Sequence, residues 1–139
     1  MTGRALHSEA DYMAATRRHV VEDSLARYCA AMDDRDGVAA AVLLAEADLF
    51  FKDQLPMHGR AEIERFYAAT FAVSTGRTAH LVSNVFVTAT ESSMSYSALY
   101  QRFSLDSSVP ELLAIGRYSG TFSQFADSTV WIEHRVAGL

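Results

Sequence analysis

The run Arg77-Thr78-Ala79-His80-Leu81-Val82-Ser83-Asn84-Val85-Phe86-Val87-Thr88 has strand character and carries one histidine near its middle. Read with a period of two, it places His80, Val82, Asn84 and Phe86 on one face and Ala79, Leu81, Ser83, Val85 and Val87 on the other. Both faces are largely apolar. The imidazole and the amide are therefore either a satisfied core pair or the polar spot of a cavity. An imidazole in such a spot suits proton transfer, because its charge changes near neutral pH. A second candidate comes from the other end of the chain, where Val21, Leu25 and Cys29 form one i,i+4 row. Four residues further, that row lands on Asp33, so of Asp33, Asp34 and Asp36 it is Asp33 that points inward.

The elements that must position these groups follow from the pattern. After residues 1 to 7, which read as a loose leader, an amphipathic helix runs from about Ser8 to the acidic trio, and Gly37 marks its break. Val38 to Leu44 reads as a short second helix packed by Val38, Val42, Leu43 and Leu44. Asp48 to Lys52 reads as a short strand, followed by a loop through Asp53 and Pro56 to Gly59. A third helix, from Ala61 to Phe71, has Ile63, Phe66, Tyr67 and Thr70 at helical spacing. From Gly76 onward the pattern is strands: the His80 strand, Met94 to Leu105, Leu112 to Phe125 and Thr129 to Val136, the last two joined by a turn at Ala126-Asp127-Ser128. Helices first and a strand meander afterwards is the order of an α+β domain. We expect three N-terminal helices packed on a curved, mixed or antiparallel sheet, in a single domain spanning residues 1 to 139.

Composition sets outer limits. A chain of 139 residues that is half apolar, with only two prolines, is large enough to bury a core without disulfides or structural metal. The net charge of −5, without any Lys/Arg cluster, speaks against a nucleic-acid groove and a polyanionic substrate. The lone Cys29 cannot form an intrachain disulfide, and no Cys/His group has metal-ligand spacing, so no metal or cofactor is expected. Without an apolar leader or a run of membrane-spanning length, a soluble protein of the reducing cytoplasm is the expectation. Apolar residues on both faces of the late strands predict a homodimer through the exposed sheet face.

Several stretches, in order, resemble the SnoaL-like and ketosteroid-isomerase-like branch of the NTF2-like superfamily. They are Arg27 to Asp36, Gly59 to Tyr67, Arg77 to Val87 and Val130-Trp131-Ile132, and the resemblance they mark extends over nearly the whole chain. The resemblance implies the NTF2-like cone of the cystatin-like class. It does not fix a reaction, since the superfamily includes dehydratases, dehydrochlorinases, cyclases, isomerases, hydrolases and non-catalytic subunits.

At the chemical positions the chain is most similar to scytalone dehydratase, bile-acid dehydratase and hexachlorocyclohexane dehydrochlorinase. In these, a helix-end aspartate pairs with a strand histidine inside the cone, and the matching residues here are Asp33 and His80. The resemblance implies that His80 is a general base oriented by Asp33, and that Tyr28 donates a hydrogen bond to a substrate oxygen. Where scytalone dehydratase carries a second pocket histidine, Tyr96 to Phe103 has none, and Tyr100 is the candidate substitute. Asp53 lies near the base position of ketosteroid isomerase, but Ile115 to Tyr118 lacks that enzyme's second carboxylate. Asn84, Tyr100, Asp53, Met32, Phe66 and Phe86 complete the expected substrate-binding set, while Arg102, Arg117, His58 and His134 read as surface or interface residues.

These features predict a cofactor-independent lyase, isomerase or cyclase. It would use a His-Asp dyad to abstract a proton from a small, apolar, oxygenated polyketide, terpenoid or steroid-like substrate. The alternative is a non-catalytic ligand-binding or assembly module, because His80 to Val85 also resembles the β subunit of ring-hydroxylating dioxygenases. That alternative predicts a filled cone and an obligate larger partner.

Overall fold

The structure is a computed structural model that describes residues 8–125 and 128–139. The leader expected over residues 1 to 7, and Ala126 and Asp127 of the last turn, lie outside the described residues. Helix α1 (Glu9–Asp33) starts at a reciprocal capping box, in which Ser8 accepts from the Asp11 backbone N–H while the Asp11 carboxylate accepts from that of Ser8. Its buried stripe is Val21, Leu25, Tyr28, Cys29, Ala31 and Met32, the apolar row expected of it. The helix ends at Asp33, and Arg35 turns the chain back with a left-handed φ of 56°.

Asp36 then caps α2 (Gly37–Leu43) by accepting from the Ala39 N–H at 3.0 Å. The buried residues of this region are Ala40, Ala41 and Leu44, whereas Val38 and Val42 face solvent, which corrects the expected packing face. The reason is close approach: a Cβ at Gly37 would lie 3.2 Å from the Tyr67 Cβ, so α2 rests flat on α3 (Arg60–Val73) through its small residues. Helix α3 buries Ile63 and Tyr67.

The strands are β1 (Asp48–Phe51), β2 (Met57–His58), β3 (Thr78–Ala89), β4 (Ser93–Ser104), β5 (Glu111–Phe125) and β6 (Ser128–Gly138). They form one sheet in the order β2-β1-β6-β5-β4-β3, antiparallel except for the parallel β1–β6 pair. Each long antiparallel pair shifts register once: Ser83/Phe86 in β3, Arg102/Phe103 against β5, and Thr121/Phe122 against β6. An extra residue on one strand bends it and raises the local twist, so the three shifts curve the sheet around the helices.

The β3 bulge also rewrites the face assignment. Asn84 occupies it at φ 53°, a left-handed conformation that asparagine tolerates better than most residues. Before it, His80 and Val82 face the helices; after it, Val85, Val87 and Ala89 do. Strict alternation from His80 fails at this point, and Phe86 projects outward, 67% exposed.

Two glycines in β5 let aromatic rings lie across the strand. A Cβ at Gly116 would run into the Tyr100 ring, and one at Gly120 into the Glu133 carbonyl and the Tyr96 hydroxyl. Tyr100 stacks on Tyr118 with centroids 4.4 Å apart, while Tyr96, Phe122 and Trp131 pack further along the same face.

Candidate functional site

Asp33 is the last residue of α1, where helix carbonyls disfavour a carboxylate, so its charge needs donors from elsewhere. Strand β3 supplies them. His80 donates its backbone N–H to Asp33 Oδ2 at 2.9 Å, and Thr78 Oγ1 donates to Asp33 Oδ1 at 3.0 Å. The His80 ring reaches the same carboxylate, with Nδ1 2.5 Å from Oδ1. An ionised carboxylate only accepts, so the ring proton sits on Nδ1 and Nε2 presents its lone pair. Nε2 has no hydrogen-bond partner among the described residues and is not among their buried polar atoms. The pair is partly covered, with side-chain exposures of 12% for His80 and 25% for Asp33.

His80 forms part of the wall of a partly enclosed cavity of about 250 Å³ between the sheet and the helices. Tyr28, Met32, Phe51, Tyr67, Tyr100 and Tyr118 make most of its apolar lining. At its base the Tyr28 and Tyr67 hydroxyls lie 2.6 Å apart. One donates to the other, and the second phenol proton has no acceptor among the described residues. Burial raises the pKa of both phenols above the ordinary tyrosine value, which keeps them as donors. Tyr118 and Tyr100 are raised by burial as well. Cys29 points at the Tyr118 hydroxyl, 3.9 Å away, and burial pushes its thiol up to about 12, so it is an inert packing group.

Below the tyrosines lies a second polar group. Trp131 Nε1 donates to the Tyr96 hydroxyl oxygen at 3.0 Å, and a hydrogen bond of 2.7 Å joins that hydroxyl to His134 Nδ1. His134 is fully buried, its Nε2 has no partner among the described residues, and its ring packs edge-on to Tyr28 with centroids 4.5 Å apart. Burial lowers its pKa to about 3, so the imidazole is neutral. The expectation of a surface or interface residue is therefore wrong: β6 turns His134 toward the core, between Tyr28, Tyr118 and Trp131.

Of the expected site residues, His80, Tyr28, Tyr100 and Met32 line the cavity and Asp33 backs it through His80. Phe66 stands one layer behind, packed on Phe51 with centroids 5.1 Å apart. Two expectations of placement are corrected. Asp53 lies in the exposed turn after β1, and Phe86 faces away beyond the bulge. Asn84 is exposed at the bulge and lines a second groove, between α1 and β3, whose wall includes Asp33 and His80. His58 is exposed as expected, with Nδ1 2.6 Å from Asp48 Oδ1. Arg102, expected at the surface, lines the cavity; Arg35, Lys52, Phe51, Tyr67, Thr78 and Tyr118 do so too and were missed. A usable signal existed for Tyr67, which continues the buried α3 row from Ile63. Among the described residues no group of His, Cys, Asp and Glu could hold a metal ion, and no helix is long and apolar enough to cross a membrane.

The SnoaL-like domain model matches residues 13–132, and the chain belongs to this family of the NTF2-like superfamily, which includes polyketide cyclases and dehydratases. Solved structures share the fold. An NTF2-like protein with a cystatin-like fold from Novosphingobium aromaticivorans is 18% identical, with a TM-score of 0.72 over 97% of this chain and 92% of that one. A candidate scytalone dehydratase from the same organism is 12% identical, with a TM-score of 0.73 over 91% and 86%. ActVI-ORFA from Streptomyces coelicolor is 15% identical, with a TM-score of 0.75 over 85% and 94%. No curated protein sequence matches the chain.

Proposed function

We propose that the protein is a cofactor-independent lyase, isomerase or cyclase acting on a small, largely apolar, oxygenated molecule of polyketide, terpenoid or steroid-like type. The observation that carries this reading is the 2.5 Å contact between His80 Nδ1 and Asp33, which leaves Nε2 without a hydrogen-bond partner among the described residues on a ring that lines a cavity. His80 Nε2 takes a proton from a carbon beside a carbonyl, and Asp33 holds the ring in the required tautomer and offsets the charge it gains. The free phenol proton of the Tyr28–Tyr67 pair stabilises the negative oxygen that forms. Return of the proton from His80 to a departing hydroxyl completes a dehydration; its return to another carbon completes an isomerisation. Attack of the enolate carbon on a second carbonyl, followed by return of the proton from His80 to the alkoxide so formed, completes a ring closure.

The alternative of a non-catalytic assembly module predicts a filled cone, and the cavity beside His80 favours the enzyme. The exposed outer-face residues Leu81, Phe86, Ile115 and Ile132 support a homodimer through the sheet. A cytoplasmic setting and a single domain over the whole chain belong to the same reading.

The test is proton exchange in deuterium oxide with α- and β-tetralone as probes, followed by NMR at the carbon beside the carbonyl. Catalysed exchange that disappears in His80→Ala and falls sharply in Asp33→Asn is expected. Exchange surviving unchanged in both variants would place the chemistry elsewhere.

A further inference from the structure

The charge around the cavity runs against the charge of the chain. The protein carries a net −5, yet the charged side chains lining the cavity, His80 aside, are Arg35, Lys52 and Arg102, and no lining residue is a carboxylate. The nearest acid in the site, Asp33, is already engaged by the His80 backbone, the His80 ring and Thr78. None of the three cations has an ion-pair partner among the described residues, although Arg18, Arg27 and Arg135 at the surface each do.

Arg102 is the most telling of them. It sits on β4 directly opposite His80 in the β3–β4 register, so the two side chains leave the same face of the sheet side by side. Its Nε is buried and has no hydrogen-bond partner among the described residues. A buried donor on a charged group is costly to leave unmade, and the planar fork of a guanidinium matches the two oxygens of a carboxylate. Arg35 and Lys52 are placed differently. Arg35 spends its terminal nitrogens on the Gly76 and Phe71 carbonyls and on Ser74 Oγ, which fixes its charge at the cavity wall without neutralising it. Lys52, at the exposed end of β1, lies 5.6 Å over the Phe51 ring.

We infer that the substrate is a monoanion, a carboxylic acid on a small cyclic skeleton, whose carboxylate docks on Arg102 with the reacting carbon beside His80, while Arg35 and Lys52 supply the favourable field. One carboxylate suffices, in keeping with a partly enclosed cavity of about 250 Å³. This deepens the functional reading above and rests on the cavity being the substrate site.

The test measures binding, not turnover, by titration calorimetry with 2-naphthoate and its neutral counterpart 2-naphthamide. The wild-type protein is expected to bind the acid about tenfold more tightly than the amide, as a charge-assisted bidentate contact implies. That preference should vanish in Arg102→Gln, return in part in Arg102→Lys, weaken with added salt and persist in His80→Asn. Because His80→Asn keeps the preference whatever it does to proton exchange, failure of the catalytic reading and failure of this one are separable. Equal binding of acid and amide by the wild type, absence of acid binding at millimolar concentration, or an unchanged preference in Arg102→Gln would overturn the assignment. The first two outcomes are decisive even if the arginine variants do not fold.

Discussion

Asp33 grips His80 at two points, accepting its backbone N–H at 2.9 Å and facing its ring Nδ1 at 2.5 Å. The two contacts differ in what they specify. The backbone contact ties the end of α1 to β3 whatever residue stands at position 80, whereas the ring contact sets which imidazole nitrogen meets the cavity. Asp33→Asn can keep its one oxygen as acceptor for the backbone N–H, with its amide nitrogen then turned to Thr78 and the ring, but no longer offers a negative charge to the ring. Its activity loss should therefore exceed its stability loss: about 10²-fold or more in kcat/KM, in the range for a general base, against about 1–2 kcal/mol from weakened charge-assisted hydrogen bonds. Asp33→Ala should add the cost of an unpaired His80 N–H. Urea unfolding beside the exchange assay separates the two effects.

The Tyr28–Tyr67 pair makes a related prediction, because two phenols joined by one hydrogen bond share a single free proton. Removing either hydroxyl leaves a lone phenol whose proton can still reach the cavity, while Tyr28→Phe with Tyr67→Phe leaves none. The single variants should each lower kcat modestly, and the double variant should lose about 10²–10³-fold, as expected for a deleted oxyanion donor. Losses that multiply independently would show that the two hydroxyls do not act as one unit.

The helices, the strand order along the chain and the inward aspartate were legible in the sequence because they rest on periodicity, and Asp33 continues the row Val21, Leu25, Cys29 without interruption. Period-two reasoning failed where the backbone inserts a residue. Nothing in the side chains of Ser83, Asn84 and Val85 announces a left-handed Asn84, so every assignment beyond it, Phe86 included, changed face. Arg102 was misread for a different reason. Arginine is seldom buried, and the register that sets it opposite His80 exists only once the β3–β4 hairpin is formed. His134 was misread because a neutral, hydrogen-bonded imidazole in a core has no local sequence signature.

The bulge itself can be tested. Glycine adopts the left-handed region freely and a β-branched residue does not. Asn84→Gly should leave stability within about 1 kcal/mol of wild type, while Asn84→Val should cost about 1–3 kcal/mol, the scale of a strained backbone position. Phe86→Ser, on the exposed face, should change monomer stability by no more than about 0.5 kcal/mol. If the sheet face forms the homodimer, the same substitution weakens self-association in sedimentation velocity. A large loss of monomer stability in Phe86→Ser would contradict its outward orientation.

Gly116 offers a sharper probe of the cavity wall, because a methyl group there meets the Tyr100 ring, which is itself stacked on Tyr118. Gly116→Ala should cost about 1–3 kcal/mol by overpacking. Shortening the obstacle relieves it, so Tyr100→Leu combined with Gly116→Ala should be more stable than the sum of the two single changes predicts. Simple additivity of the unfolding free energies would argue against the close approach.

His134 sets the acid limit of the fold. Its pKa stands near 3 in the folded protein, against an ordinary value of 6.5, because burial disfavours the charged ring. Between those two values the unfolded chain binds a proton that the folded protein does not, so stability falls as pH is lowered from about 6.5 toward 3. The contribution is fully present above pH 6.5 and declines by roughly 1.4 kcal/mol per pH unit below it, about 2 kcal/mol by pH 5. Few carboxylates at their ordinary values titrate that high, so the interval from pH 7.5 to 5 reports on histidines, and comparison with a His134 variant separates His134 from the others. His134→Gln should lose stability at pH 7.5, where the Tyr96 hydrogen bond is perturbed, yet show a much flatter dependence down to pH 5. Urea midpoints at the two pH values check this. An equal acid-induced loss in wild type and His134→Gln would assign the sensitivity to another group.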